Sequence, residues 1–281
     1  MPQRSAQGGL RICEGICYAP QVWRKLTIDM TEGGGDDRPF LLWVHGGGWD
    51  KGDKDAMRSE LEHFAARGWA CGSINYRLST EAVFPAPWED VYLAARFVAR
   101  SARRIVLVGA SAGGHLVSLA GLATPPGHPP LPAGTIAGVV SLAGVNDLRF
   151  ATLRSLGFPF RRCCEQLLGG SMDDPAIQRL AEQASPIVHV DAWRDRLADA
   201  PAVLLIHGAQ DRGVPLALSE AMHERCVAAG LKSELHIIEN CGHYVQHEAR
   251  TRTLGLIEEF ARAISGEGPR PGAQASGVSE A

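Results

Sequence analysis

An apolar run that leads through Gly-x-Ser-x-Gly into a helical pattern constrains this 281-residue chain more than any other stretch. Residues 105–108 are apolar, as in a buried parallel strand, and residues 115–123 are rich in Leu and Ala, as in a packed helix. Between them lie Gly109, Ser111 and Gly113, and so tight a turn predicts a strained backbone at the serine. The glycines are needed because a Cβ at either position would collide with the neighbouring strand or helix. We therefore expect the Ser111 hydroxyl to be lifted out of the end of a sheet.

Strand and helix patterns alternate along most of the remaining chain. Apolar or alternating runs predict strands at residues 24–30, 39–44, 69–76, 136–143, 202–207 and 233–238. Helical spacing predicts helices at residues 55–67, 88–100, 216–229 and 248–264. A stretch rich in Gly and Asp predicts a hairpin turn at residues 31–37. This order predicts an α/β fold in which helices cover both faces of a mostly parallel sheet.

Two stretches depart from the alternation. Residues 145–190 show no strand pattern and contain Phe158 and Phe160, so we expect either a lid over a site or a contact between two copies in a homodimer. Residues 266–281 are small and polar, which predicts a disordered tail. No linker interrupts the middle of the chain, so residues 1–265 are expected to form a single domain that includes the lid-like insertion.

The composition argues against several kinds of partner. Hydrophobic residues make up 45% of the chain and charged residues 21%, as in an ordinary globular protein. The net charge is −3 and the basic residues are scattered along the sequence, so we expect no basic patch that would bind nucleic acid. The N-terminal residues lack the apolar core of a signal peptide, and no run approaches the roughly 18 apolar residues of a membrane span. We therefore expect a cytoplasmic protein without a nucleic-acid or membrane partner.

The seven cysteines have no recurring spacing, which argues against a disulfide framework. A zinc site at Cys13 and Cys17 lacks a second pair of ligands at a suitable spacing, so we expect no metal. The adjacent Cys163 and Cys164 have no explanation in the sequence.

Ser111 is a candidate nucleophile, but a serine hydroxyl is weakly reactive at neutral pH and needs a base and a group that orients the base. Asp211 and His243 each follow a predicted strand, and the order Ser, Asp, His is the one expected for this kind of turn. Asp147 also follows a predicted strand and is the alternative acid, although Asp211 is favoured. Among the ten histidines, His243 is favoured because it alone lies in a short loop directly after a glycine.

Three glycines follow the predicted strand at residues 39–44, in the run His-Gly-Gly-Gly-Trp. Bare backbone can bend sharply there and aim N–H groups at one point, as an oxyanion site requires. We expect the N–H groups of Gly47, Gly48 and Ala112 to form such a site. A flexible turn or a phosphate loop is the alternative, and the phosphate loop is disfavoured because Gly-Lys-[Ser/Thr] does not follow.

Aromatic residues near these loops are candidates for substrate binding. Trp49 ends the glycine run, and Phe158 and Phe160 lie in the insertion. Asp90 lies in the first turn of a predicted helix, where an acidic residue suits the helix dipole. We expect Asp90 to act as a cap or brace rather than as a catalytic acid.

Six stretches together resemble the α/β-hydrolase fold of serine hydrolases. They are HGGGWDKGDK, NYRLS with the following proline run and Asp90, GASAGGH, ASPIVHV, IHGAQDRGVP and CGHY, within residues 39–264. The resemblance is to the esterase branch near hormone-sensitive-lipase-like and acetyl- or feruloyl-esterase-like enzymes, with arylformamidase as a close neighbour. It implies an eight-stranded, mostly parallel sheet and no cofactor. It also implies a triad of Ser111, Asp211 and His243 and an oxyanion hole formed by Gly47, Gly48 and Ala112.

The activity implied by this resemblance is hydrolysis of short-chain or aryl carboxylic esters through an acyl-enzyme on Ser111. An amidase that cleaves an N-formyl amide, of the arylformamidase type, is an alternative because the same triad serves both reactions. A biosynthetic acyl-transfer or lactonising enzyme, or a receptor that uses the fold without catalysis, are further alternatives. The expected partner is a small-molecule ester or amide.

Overall fold

The computed structural model describes residues 11–31 and 38–266, and this part of the chain contains an eight-stranded sheet. The strands are β1 Ile12–Cys17, β2 Thr27–Thr31, β3 Phe40–Val44, β4 Cys71–Ile74, β5 Ile105–Ala110, β6 Ile136–Leu142, β7 Ala202–Gly208 and β8 Ser233–Ile238. Two predictions fall mostly outside the described residues. They are the turn, of which residues 32–37 are not described, and the tail, of which residues 267–281 are not described.

The sheet is mostly parallel, as predicted. Its strand order is β1-β2-β4-β3-β5-β6-β7-β8, with β1 antiparallel to β2, β2 antiparallel to β4, and the remaining neighbours parallel. Every residue of β3 and β5 is buried because these strands lie in the middle of the sheet with helices on both sides. The prediction of an α/β fold with an eight-stranded sheet is therefore confirmed.

Nine helices belong to the described residues. They are α1 Arg58–Ala65, α2 Ala86–Val98, α3 Ala112–Leu122, α4 Phe150–Ser155, α5 Arg161–Leu168, α6 Pro175–Gln183, α7 Ala217–Ala228, α8 Val245–Glu248 and α9 Arg250–Ser265. Two 3-10 stretches, Lys54–Met57 and Pro186–Asp199, precede α1 and β7. Residues 145–190 contain no strand, as expected, and they form three helices and the start of the second 3-10 stretch.

Side chains of β3 alternate between two hydrophobic cores, one on each face of the sheet. Leu42 and Val44 pack with residues of α2 and α3, whereas Leu41 and Trp43 pack with residues of α1 and α9. This alternation follows from the two-residue period of a strand. Helices on both faces leave the loops at the carboxyl ends of the strands as the accessible edge of the sheet.

The N-terminal strand β1 was not predicted. Three of its six residues are exposed and none is fully buried, so the sequence lacks the apolar alternation by which β2 could be recognised. Its pairing with β2 also contains an irregularity between Cys13 and Ile16, which shifts the register along the strand. Pairing with the edge of an existing sheet, rather than local pattern, accounts for this strand.

Candidate active site

Ser111 lies at the sharp turn between β5 and α3. Its φ of 54° and ψ of −117° are unusual for a residue with a side chain, as the sequence predicted. The Ser111 N–H donates to the Leu142 carbonyl at 2.7 Å, which ties the turn to the neighbouring strand β6. A Cβ on Gly109 would meet the Gly113 backbone, and a Cβ on Gly113 would meet the Val44 backbone. Both glycines are therefore required by close packing.

The structure brings Ser111, His243 and Asp211 together although they lie far apart in sequence. Ser111 Oγ is 2.9 Å from His243 Nε2, and His243 Nδ1 is 2.7 Å from Asp211 Oδ2. A carboxylate only accepts hydrogen bonds, so Nδ1 carries the proton and Nε2 is left to accept from the serine hydroxyl. This arrangement can remove the proton of Ser111 as its oxygen attacks a carbonyl carbon.

Asp211 is held by four groups. Its Oδ1 accepts the N–H groups of Gly213 at 2.7 Å and Val214 at 2.9 Å, while Oδ2 lies 3.2 Å from His207 Nε2 as well as beside His243. Burial by itself would raise the pKa of Asp211. The hydrogen bonds from His207, His243 and Val214 outweigh burial and hold the pKa of Asp211 well below its ordinary value. The carboxylate is therefore ionised at neutral pH.

His207 is the last residue of the strand that the sequence predicts at residues 202–207, and its contact with Asp211 was not predicted. It is fully buried, with Nδ1 2.8 Å from Ser219 Oγ and Nε2 2.9 Å from the Val214 carbonyl. The one sequence signal for its contact with Asp211 is their spacing of four residues across the turn after β7.

The competing acid, Asp147, is occupied elsewhere. Its carboxylate accepts from the Arg149 guanidinium at 2.7 Å and from the Thr152 hydroxyl at 2.9 Å. Burial acts to raise the pKa of Asp147, but the hydrogen bonds from Arg149 and Thr152 lower it overall. Asp211, not Asp147, contacts His243.

Asp90 is a brace, as the sequence suggested. Its fully buried carboxylate accepts from the Arg77 side chain at 2.7 and 2.8 Å and from the Arg77 N–H at 2.8 Å. Burial raises the pKa of Asp90, and the hydrogen bonds from Arg77 oppose that effect. The pair joins the loop after β4 to α2.

The glycine loop after β3 lies against the Ser111 turn. A Cβ on Gly46 would come within 2.8 Å of the Ala110 carbonyl oxygen and 3.3 Å of Ser111 Cβ, so no larger residue fits there. The next residues have positive φ: Gly47 112°, Gly48 61° and Trp49 62°. Within residues 11–31 and 38–266, the N–H groups of Gly47, Gly48 and Ala112 donate to no protein acceptor. They remain available to a ligand oxygen.

A cavity of about 380 Å³ opens over Ser111 and His243. Its apolar wall includes Val145, Phe158 and Val214. The half-exposed Phe160 and the thiol-bearing Cys163 also border it, so the insertion at residues 145–190 forms part of its wall. Cys164, the neighbour of Cys163, points into the hydrophobic core instead.

Trp49 also borders the cavity but offers it little surface. Its side chain is only 2% exposed, and its indole N–H donates to Nδ1 of the buried His115 at 3.1 Å. Phe160 of the insertion, in contrast, is 49% exposed and borders the same cavity.

Among the residues that the structure describes, no group of three or more His, Cys, Asp or Glu side chains is placed to hold a metal ion. Over the same residues, none of the helices has both the length and the apolar character needed to cross a bilayer.

Known proteins resemble this chain in sequence and in fold. The model of the BD-FAE family matches residues 26–226, more than two thirds of the chain. A probable carboxylic ester hydrolase, LipM of Mycobacterium tuberculosis, is 28% identical over 273 residues, which cover 89% of this chain and 60% of LipM. Esterase LipC of the same organism is 30% identical over 231 residues, which cover 78% of this chain and 54% of LipC. The chain thus spans little more than half the length of these relatives.

Solved structures share the fold. A truncated carbohydrate esterase from gut microbiota superposes with a TM-score of 0.72 at 23% identity, covering 92% of this chain and 97% of that one. Esterase Est2 of Thermogutta terrifontis gives a TM-score of 0.70 at 22% identity, with 94% and 95% covered. At such identities the likeness supports the fold, and the match to the family model supports the assignment. The chain belongs to the BD-FAE family and has the α/β-hydrolase fold.

Proposed function

We propose that this chain is a carboxylic ester hydrolase that forms an acyl-enzyme on Ser111. The observation that carries the proposal is the continuous path of hydrogen bonds from Ser111 Oγ through His243 to Asp211, with distances of 2.9 and 2.7 Å. The esterase names of LipM and LipC support the same reaction class.

In the first half of the reaction, Ser111 Oγ attacks the ester carbonyl carbon while His243 Nε2 takes the hydroxyl proton. Asp211 stabilises the imidazolium that results. The carbonyl oxygen becomes negatively charged and accepts hydrogen bonds from the N–H groups of Gly47, Gly48 and Ala112. Removing one such donor typically costs about 10²- to 10³-fold in kcat.

The tetrahedral intermediate then collapses. His243 Nε2 returns its proton to the leaving alcohol oxygen, and the acyl group stays on Ser111. A water molecule attacks the acyl carbon and gives a proton to the same nitrogen. Loss of the serine oxygen, which takes that proton back, releases a carboxylic acid and restores the enzyme.

The expected substrates are short-chain or aryl esters. The cavity of about 380 Å³ lies near the lower end of the range of about 300–1,000 Å³ usual for small-molecule sites. Phe158 and Phe160, whose ring centroids are 5.9 Å apart, border it and can pack against an acyl chain or an aryl ring. A large lipid would not be enclosed by a cavity of this size.

The deciding experiment measures kcat/KM on p-nitrophenyl esters from acetate to octanoate, and on N-formylkynurenine, for the full chain and for Ser111→Ala. We expect turnover of the shorter esters and a loss of about 10⁴-fold or more in the variant. Its melting temperature should be unchanged because a single hydroxyl is lost. Undiminished hydrolysis in Ser111→Ala would refute the nucleophile assignment. Efficient deformylation without ester turnover would instead indicate an amidase.

A further inference from the structure

The backbone of Trp49 adopts a conformation that a bulky residue rarely takes. Its φ of 62° continues the positive values at Gly47 and Gly48. Glycine adopts such angles freely, but for a side chain as large as tryptophan they are strained and persist only where the surroundings hold them. The loop that carries two proposed oxyanion donors therefore needs a fixed attachment at Trp49.

The side chain of Trp49 supplies one. Its indole N–H donates to His115 Nδ1 at 3.1 Å, and His115 Nε2 lies 2.7 Å from the Ala184 carbonyl oxygen. The two rings meet edge-on, with centroids 5.3 Å apart and an angle of 89° between their planes. The three residues are at least 98% buried.

These partners determine the state of His115. An indole nitrogen can only donate and a carbonyl oxygen can only accept, so Nδ1 is unprotonated and Nε2 carries the hydrogen. His115 is therefore a neutral imidazole in a single tautomer, with each nitrogen satisfied. Removing either neighbour would leave a buried polar atom without its partner.

His115 also belongs to the helix that begins at the nucleophile. Its N–H donates to the Ser111 carbonyl at 3.0 Å, one helical turn from the start of α3. The N–H of Ala112 lies in that same turn. One side-chain hydrogen bond thus connects the loop that carries Gly47 and Gly48 with the helix that carries the third proposed oxyanion donor.

We propose that Trp49 and His115 are positioning residues that set the spacing between the Gly47 and Gly48 N–H groups and that of Ala112. This inference rests on the proposed function. It gives Trp49 a role other than substrate contact. The link ends at Ala184, directly after α6, so the insertion at residues 145–190 supports the oxyanion loop through the same hydrogen bonds.

A matched substitution tests the proposal. Trp49→Phe keeps an aromatic ring and removes the N–H donor. Trp193→Phe removes an equivalent bond away from the site, where the indole N–H donates to the Leu122 carbonyl at 3.0 Å. For Trp49→Phe we expect kcat/KM on p-nitrophenyl butyrate to fall about 10- to 100-fold. This is less than the about 10²- to 10³-fold cost of removing an oxyanion donor outright, because the N–H groups are displaced rather than lost. The affinity for butylboronic acid, which forms a tetrahedral adduct on serine, should fall in parallel.

Trp193→Phe should keep both values within about twofold of the parent chain. A second variant, His115→Leu, removes the acceptor of the Trp49 hydrogen bond and should lower kcat/KM similarly. The kcat/KM of the double variant should be no lower than that of the less active single variant, because both substitutions remove the same Trp49–His115 hydrogen bond. Unchanged turnover and boronate affinity in folded Trp49→Phe, with only a lower melting temperature, would overturn the positioning role.

Hydrogen exchange provides a readout that does not need turnover. Amides of residues 46–52 should exchange faster in Trp49→Phe than in Trp193→Phe. If the parent chain is inert on every ester, the proposed function fails. The exchange rates then still decide whether Trp49 holds the loop, and equal rates in the two variants would contradict it.

Discussion

The carboxylate of Glu248 lies 2.6 Å from the amide nitrogen of Gly242, the residue directly before His243. Its other oxygen accepts the N–H of Tyr244, directly after His243, at 3.3 Å. One side chain thus holds the backbone on both sides of the proposed base. The N–H of Gly242 is the main cause of the lowered pKa of Glu248.

Replacing Glu248 by Ala is expected to lower kcat/KM about 5- to 20-fold, because a loosened His243 spends less time in line with Ser111. The measurement is p-nitrophenyl ester hydrolysis at pH 8. Glu259→Ala, which alters an exposed glutamate of α9, is the control and should match the parent chain. Equal rates for the two variants would show that the loop keeps its shape without Glu248.

Asp211→Asn should reduce kcat by about 10³- to 10⁴-fold. The amide can present its NH₂ group to His243 Nδ1 and so stabilise the wrong tautomer. The parallel variant, Asp147→Asn, should retain kcat within a few-fold and mainly lower the melting temperature, since Asp147 contacts Arg149 and Thr152. Steady-state kinetics and thermal melts on both variants check this, and the reverse ranking would make Asp147 the acid.

Phe160→Ala should change selectivity with little loss of stability, because Phe160 is 49% exposed and borders the cavity. We expect the ratio of kcat/KM for octanoate over acetate to shift by about 5-fold or more, the scale of about one buried methylene group. Phe150→Ala is the control within the same insertion, since Phe150 does not line the cavity. An unchanged chain-length profile in Phe160→Ala would argue against the insertion as a determinant of specificity.

The stability of the fold should depend on His115 at mildly acidic pH. Burial lowers the pKa of His115 from 6.5 to about 4. Between pH 6.5 and pH 4, His115 binds a proton in the unfolded chain but not in the folded chain. The free energy of unfolding therefore has its full value above pH 6.5 and declines as the pH falls toward 4. At pH 5 the loss is about 2 kcal/mol.

Urea titrations at pH 7.5 and pH 5 measure this effect as the free energy of unfolding. The difference in the free energy of unfolding between the parent chain and His115→Leu should be about 2 kcal/mol smaller at pH 5 than at pH 7.5. A constant difference between the parent chain and His115→Leu would mean that folding does not lower the pKa of His115.

Much of the fold could be predicted because the central strands are apolar throughout. β3 and β5 have every side chain buried, and the residues that follow them include the glycine loop and Ser111. The order of Ser111, Asp211 and His243 at successive strand ends was enough to choose three residues that the structure brings into contact. The cytoplasmic location, the division into one domain and the homodimer interpretation stay predictions.

The supporting residues could not be predicted, because their partners are distant in sequence. Trp49 and His115 are 66 positions apart, and His115 and Ala184 are 69 apart. No periodic pattern connects residues at such distances; only the packing of the loop, α3 and α6 does. Helix starts were also misplaced, since α3 begins at Ala112 rather than at residue 115. The glycines after Ser111, which are poor helix formers, hid that first turn.

Ser111 and His243 are separated by 132 positions, yet their side chains are 2.9 Å apart. Neither an unfolded chain nor one cut between them and dissociated can keep that distance, so the reactivity proposed for Ser111 requires the native state. A fluorophosphonate allowed to react only briefly should therefore label native molecules and not unfolded ones. The yield of labelled protein would then report the folded fraction, and the natural substrate need not be known.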